Sequence, residues 1–237
     1  MSLQSINWAI VGMSLAAGMI LLMRDWRVTI PALLCNYVFI AIFLTQQRFI
    51  KPDLPLFGGV STTVLVVLIT GFACGTMLLI TALTFSREYN LEDLDEFSLA
   101  ELRRAARRAQ RQREAFRLSD YVVPFWALVL AIIASMVLPR LYPISRAYAI
   151  DFAWYWLAFT GLFTLVIAGD LLKLGLGLML LASSVDLLYT AVASTVQVFP
   201  LALLSLTQIV LALATAYLSS LLYARLKTLD IAELYRP

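Results

Sequence analysis

Between Leu56 and Phe85 the chain carries no charged residue, a stretch of roughly 45 Å at helical rise. Water gives such a segment no stable place of its own. A bilayer does, because its hydrocarbon core of about 30 Å is crossed by about 20 apolar residues. The run is therefore expected either to tilt or to begin as a loop around Gly58-Gly59. With six further unbroken apolar runs it gives seven candidate spans: 8–23, 28–45, 58–84, 121–139, 152–169, 171–193 and 199–224. Membrane barrels are written instead as alternating segments of about ten residues, so these continuous runs are helices. The expected fold is all-α and polytopic, with about seven transmembrane helices and one amphipathic helix outside the membrane. Composition agrees, since 62% of residues are hydrophobic, 14% are charged and the mean hydropathy is +0.87, against an apolar share of roughly 45–50% in soluble domains.

The charged residues are grouped in a way that orients the chain. With seven crossings, one side holds Arg48, Lys51, Arg140 and Arg146. The other holds fourteen of the 18 Lys and Arg residues, among them Arg24, Arg27, Lys173 and eight Arg between Arg87 and Arg117. The positive-inside rule then predicts an external N-terminus and a cytoplasmic C-terminus in the cell inner membrane. The size of the imbalance also favours an odd number of spans, because moving one helix would scatter the basic loops over both faces. Met1 to Asn7 contains no basic residue, whereas a cleaved secretory signal opens with a positive region, so the first run is read as a retained helix. Pro124 is placed in the first turn of the fourth span, where its missing N–H does little harm.

Three regions follow: a three-helix membrane unit over 1–85, a charged cytoplasmic segment over 86–120 and a four-helix membrane unit over 121–237. Within the middle segment, Ser98 and Glu101 have capping-box spacing, with Phe97 and Leu102 placed for a hydrophobic staple. The following Arg- and Ala-rich stretch predicts a basic amphipathic helix resting on anionic headgroups; docking on an acidic partner subunit is the alternative. The bilayer and other membrane subunits are the expected partners, and no nucleic-acid partner is expected.

Few residues carry chemistry. There is no histidine, and Cys35 and Cys74 lie in apolar spans without the spacing of a metal or redox motif. No catalytic centre, cofactor or metal site is therefore expected. The informative polar residues lie in the last two spans. Gly169, Asp170 and Lys173 form a tight hairpin turn between the fifth and sixth spans. Asp186 falls about 20 Å further along the sixth helix, with Ser183, Ser184 and Thr190 within a turn of it. A carboxylate at that depth is costly and calls for a partner or an ion path. Ser205, Thr207 and Gln208 form a second patch at comparable depth, so Gln208 or Thr207 is the expected partner of Asp186. Two roles remain open: a hydrogen-bonded packing contact between helices, or a part in proton or cation traffic.

The run Asp170-Leu-Leu-Lys173, followed by Gly177-Leu-Met-Leu-Leu-Ala-Ser-Ser-Val-Asp186-Leu, resembles the second helix of the K-type small subunit of respiratory complex I and of the C subunit of Mrp-type cation/proton antiporters. Pro200, the run Leu204-Ser-Leu-Thr207-Gln-Ile-Val210 and the tail from Lys227 are similar to the last helix and tail of the antiporter C subunit. The whole length looks most like hydrogenase-4 component E. The resemblance implies a subunit without catalytic centre, packed beside a larger antiporter-like subunit and completing a path for H⁺ or Na⁺. Small residues at Gly175, Gly177, Ser183 and Ser184 would permit the close helix approach this needs. Some positions depart from the pattern. Where the complex I subunit carries a Glu implicated in proton transfer on its second and third helices, this chain has Met179 and an apolar residue around Leu211 or Ala212, so that relay does not carry over. Asp186 stands where the families commonly have Asn, which favours packing. A self-contained small transporter or channel, or a structural subunit of an unrelated respiratory or photosynthetic complex, is the alternative reading.

Overall fold

The computed structural model describes residues 7–46, 61–91, 119–145, 147–193 and 198–226. Among them are seven α-helices and no strand: α1 Trp8–Leu22, α2 Trp26–Gln46, α3 Thr62–Leu91, α4 Ser119–Leu141, α5 Tyr148–Ile167, α6 Leu171–Val192 and α7 Val198–Leu226. The last six each contain a stretch long and apolar enough to cross a membrane, and the chain is a polytopic helical membrane protein. The side chains turned outward fit that setting: Ile69, Phe72 and Ile80 on α3, Val123 and Trp126 on α4, and Leu206, Val210 and Tyr217 on α7 are exposed.

The first helix is the short one. Its 15 residues reach about 22 Å, less than the roughly 30 Å of hydrocarbon. The side chain of Asn7 accepts from the Ala9 N–H at 3.1 Å and caps its start. Its far end is closed from a distance of 150 residues: the buried Lys173 ammonium donates to the carbonyl oxygens of Leu21 at 3.1 Å and Met23 at 3.2 Å. A cation suits this place, because the last carbonyls of a helix lack intrahelical partners and carry its negative pole. The shortness of α1 also limits the orientation argument. Residues 1–7 hold no Lys or Arg, so the division of basic residues is identical whether or not α1 crosses. The distribution of charge therefore carries no information on whether the chain crosses before α2.

Other helix ends move where a polar side chain is absorbed by the fold. The fifth helix begins at Tyr148 and not at 152, because Asp151 is folded into its first turn. There its carboxylate accepts from the N–H groups of Ile144 at 3.2 Å and Ser145 at 2.9 Å, and from the Trp154 indole at 3.3 Å. The charge is fully buried and ties the α4–α5 connection to α5. The fourth helix begins at Ser119, which moves Pro124 from the first turn into the helix interior. Gly58-Gly59, the capping box at Ser98 and Glu101 with the amphipathic helix after it, and the tail from Lys227 lie outside the described residues.

Packing places α6 at the centre, against α1, α2, α5 and α7, and it is the most buried of the long helices. The regions over 1–85 and 121–237 interlock: α3 packs along α7, and α1 along α5. Hydroxyls inside the bundle are mostly satisfied within their own helix, as for Thr70 to Val66 O, Thr81 to Met77 O and Thr164 to Thr160 O, all between 2.6 and 2.8 Å. This local bonding lets Ser and Thr sit in lipid-embedded helices at little cost.

Candidate functional site

The helical stagger of α6 turns Ser183, Asp186, Leu187 and Thr190 inward, a three- and four-residue spacing that puts them on one face. The Asp170 side chain caps the start of this helix by accepting from the Lys173 N–H at 2.6 Å, so Asp170 and Lys173 serve the hairpin turn. Sixteen residues beyond Asp170, α6 meets α2 and α7 in a polar chain. The Tyr37 hydroxyl donates to Gln208 Oε1 at 2.7 Å, and Gln208 Nε2 donates to Asp186 Oδ2. The three residues are 2%, 1% and 7% exposed respectively, so water competes for none of these bonds. The second carboxylate oxygen, Asp186 Oδ1, is buried with no hydrogen-bond partner among the described residues.

That oxygen belongs to a residue lining a cavity of about 10 Å³, shared with Tyr37, Ser183, Thr190 and Leu201. The hydroxyl hydrogens around it are committed elsewhere. Ser183 donates to Met179 O at 2.9 Å, Thr190 to Leu187 O at 2.7 Å and Tyr37 to Gln208. A hydroxyl whose hydrogen is used offers only lone pairs. The polar lining is therefore a set of acceptors, and the chemistry it suits is a proton, a small cation or a single donor. Tyr37 also walls a groove of about 480 Å³ on the outer face between α2 and α3, with Leu34, Val38, Leu68 and Phe72. Its ring fits against α3 because position 71 is glycine; a Cβ there would collide with the Tyr37 ring and its own Cβ. One side chain thus stands between the buried carboxylate and the lipid-facing surface.

The residues expected from sequence fall in different places. Gln208 meets Asp186, and Ser183 shares its cavity. Thr207 is exposed and donates to Leu203 O at 2.9 Å on its own helix, so it takes no part. Ser205 is buried, its hydroxyl without a partner among the described residues. Ser184 donates across to Trp154 O of α5 at 2.9 Å. Gly175 packs on Thr215 of α7, and Gly177 on the backbone of Gly161 in α5. These small residues are occupied by the chain's own helices and do not form an outer surface for another subunit. Sequence reasoning missed Tyr37, Asn36 and Asp151. The Asn36-Tyr37 pair in the middle of an apolar run was the available signal. Asn36 is fully buried with neither amide atom bonded among the described residues.

The fold and its buried site define a polytopic helical membrane protein that holds the Asp186 carboxylate in its core. Compared with protein-family models, curated proteins and solved structures, the chain matches none.

Proposed function

We propose that this chain is a non-catalytic membrane subunit of a complex-I-related ion-translocating assembly, of the Mrp or hydrogenase-4 kind, packed beside a larger antiporter-like subunit and contributing Asp186 to a proton or sodium path. The observation that carries this reading is the polar chain Asp186–Gln208–Tyr37, which leads from an unpartnered carboxylate oxygen to the wall of an open groove between α2 and α3. An unpaired buried acceptor costs about 1–3 kcal/mol, a cost that packing alone gives no reason to keep. A helix of the larger subunit seated in the groove would continue the chain and complete the path. The likeness of residues 170–187 to the K-type and C-type small subunits supports the same assignment. Its setting is the cell inner membrane, with the loop over 86–120 and the C-terminus cytoplasmic and the N-terminus outside, α1 crossing locally thinned bilayer.

Two measurements test this. Reconstituted alone in liposomes, the purified chain is expected to give no coupled cation/proton exchange above empty vesicles, while mild-detergent purification from its host retains a larger membrane subunit. Robust exchange by the chain alone would replace the subunit reading with the self-contained transporter. In a background lacking Cys35 and Cys74, a cysteine at position 110 is expected to react with a membrane-impermeant maleimide only after permeabilisation. Labelling of intact cells would reverse the orientation.

A further inference from the structure

We propose that, within this chain, protons reach Asp186 from one end of the bundle only, where α6 stops and α3 begins, past the buried hydroxyls of Ser205 and Thr63. The inference rests on the reading of Asp186 as a proton-carrying group and adds the direction from which it is reached. Two cavities fix the levels of the helices. Trp26, Ile30, Leu78 and Lys173 share one, and Tyr37, Leu44, Val67, Asp186, Thr190 and Leu201 share the other. Residue numbers therefore rise towards the second along α2 and α6 and fall towards it along α3. On α7 they fall as well, since Thr215 packs on Gly175 while Gln208 bonds to Asp186.

Uncommitted hydroxyls lie next to Asp186 on that second side. Ser205 is four residues from cavity-lining Leu201 and three from Gln208, a spacing that keeps all three on one face of α7. It is 5% exposed, and its Oγ has no partner among the described residues. On the same helix Thr215 and Ser220 each donate to the carbonyl four residues back, so Ser205 departs from its neighbours' habit. Thr63 lies one turn from cavity-lining Val67 on α3, is 2% exposed and is likewise without a partner among the described residues. It is the second residue of α3, beside the end of the bundle. Each of these hydroxyls keeps one hydrogen and its lone pairs. A relay needs both, because it accepts a proton from one neighbour, passes its own to the next and ends unchanged.

The opposite direction is closed. About one to three turns towards the start of α6, the core holds Met179, Leu176, Leu33, Leu78 and Ala212, each 2% exposed or less. Apolar packing of this kind stays dry and offers a proton no carrier. Ser183, the hydroxyl on that side of Asp186, has spent its hydrogen on Met179 O. Ser219, whose hydroxyl is uncommitted among the described residues, lies about 16 Å beyond Gln208 at helical rise, behind this layer.

Steps on the hydroxyl side are about 4.5–6 Å at helical rise, longer than one hydrogen bond, so waters complete the chain. The cavity beside Asp186, about 10 Å³, is at the lower bound of the roughly 10–15 Å³ that one water needs. In uptake, a hydronium at the α3 end gives up a proton and becomes water, and the last donor of the chain forms an O–H bond with Asp186 Oδ1, leaving a neutral acid. Release reverses each step. In the orientation proposed above this end faces outside, and the inner half of the path belongs to the larger subunit reached through Tyr37.

The test is coupled exchange in vesicles carrying the assembled complex, followed with a pH-sensitive dye in light and heavy water and expressed per assembled complex. Ser205→Ala and Thr63→Val are each expected to slow exchange about ten-fold and to raise the solvent isotope effect; the loss is smaller than for a positioned proton-transfer group because water partly replaces one hydroxyl. Thr63→Ser keeps the hydroxyl and is expected to keep the rate. Thr207→Ala, which removes an exposed hydroxyl two positions from Ser205, is expected to change neither rate nor isotope effect. Parental rates and isotope effects in Ser205→Ala and Thr63→Val, in a complex that Asp186→Asn disables, would overturn this path and leave Asp186 its role. Equal slowing by Thr207→Ala would overturn it too. Normal exchange by Asp186→Asn would instead remove the role of Asp186, and the path with it.

Discussion

Asp186→Asn is expected to leave the bundle folded and assembled while lowering coupled ion movement by on the order of 100-fold, the lower end of what a positioned proton-transfer group contributes. The fold survives because the amide oxygen still accepts from Gln208 Nε2, as Asp186 Oδ2 does. The new amide N–H₂ takes the place of Oδ1, which has no partner among the described residues, in a residue that lines one cavity with Ser183 and Thr190. The site keeps its bond to Gln208 and loses the titratable carboxylate. Asp186→Leu separates the two roles from the other direction, since it removes the acceptor of a buried Gln208 and should cost about 1–3 kcal/mol. Exchange is measured in vesicles carrying the assembled complex, with a pH-sensitive dye and pulses of Na⁺. Near-normal exchange by the Asn variant would return Asp186 to the packing role that the families' Asn suggests.

What could be read from the chain follows from what apolar length encodes. Burial in a bilayer demands continuous hydrophobic runs, and each of the seven runs contains most of a helix. A charge marks a boundary in such a run except where tertiary bonds absorb it. Asp151 sits inside α5 because the backbone of Ile144 and Ser145 comes back to it; the pairing spans six or seven residues and has no periodic signature. Lys173 was legible as a turn residue but not as the group that closes α1, 150 residues earlier. The site shows the same limit. One residue along a helix is a rotation of about 100°, which separates buried Gln208 from exposed Thr207. Sequence depth alone made both eligible as partners of Asp186. Tyr37 joins through a bond spanning 171 positions, and only the placement of α2 against α6 and α7 reveals it. The small residues of α6 were legible as sites of close approach, but their occupant was not.

That occupant sets the largest stability effect expected in the molecule, at Gly161. A Cβ built there would lie 2.8 Å from the backbone nitrogen of Leu181 and 3.0 Å from the carbonyl oxygen of Gly177; one built on Gly177 would lie 3.0 Å from the Gly161 oxygen and 3.0 Å from the Leu165 nitrogen. Both obstacles are main chain, so no rotamer change removes them and even one methyl must push α5 and α6 apart. The separation would strain the Ser184 to Trp154 bond and, through the central helix, the contact of Asp186 with α7. Overpacking of this kind costs about 1–3 kcal/mol, and Gly161→Leu should exceed Gly161→Ala. Gly12 provides the comparison. A Cβ there also collides, but with the far edge of the Phe39 ring, which is only partly buried and can swing aside. Since Ala gains about 1 kcal/mol over Gly in a helix interior, Gly12→Ala should stay within about 1 kcal/mol of the parent. Thermal unfolding in mild detergent reads the contrast, at about 2–4 °C per kcal/mol for a chain of this size. A Gly161→Ala variant melting with the parent would mean that α5 and α6 do not meet backbone to backbone, and the seating of α6 that aligns Asp186 with Gln208 would have to be redrawn.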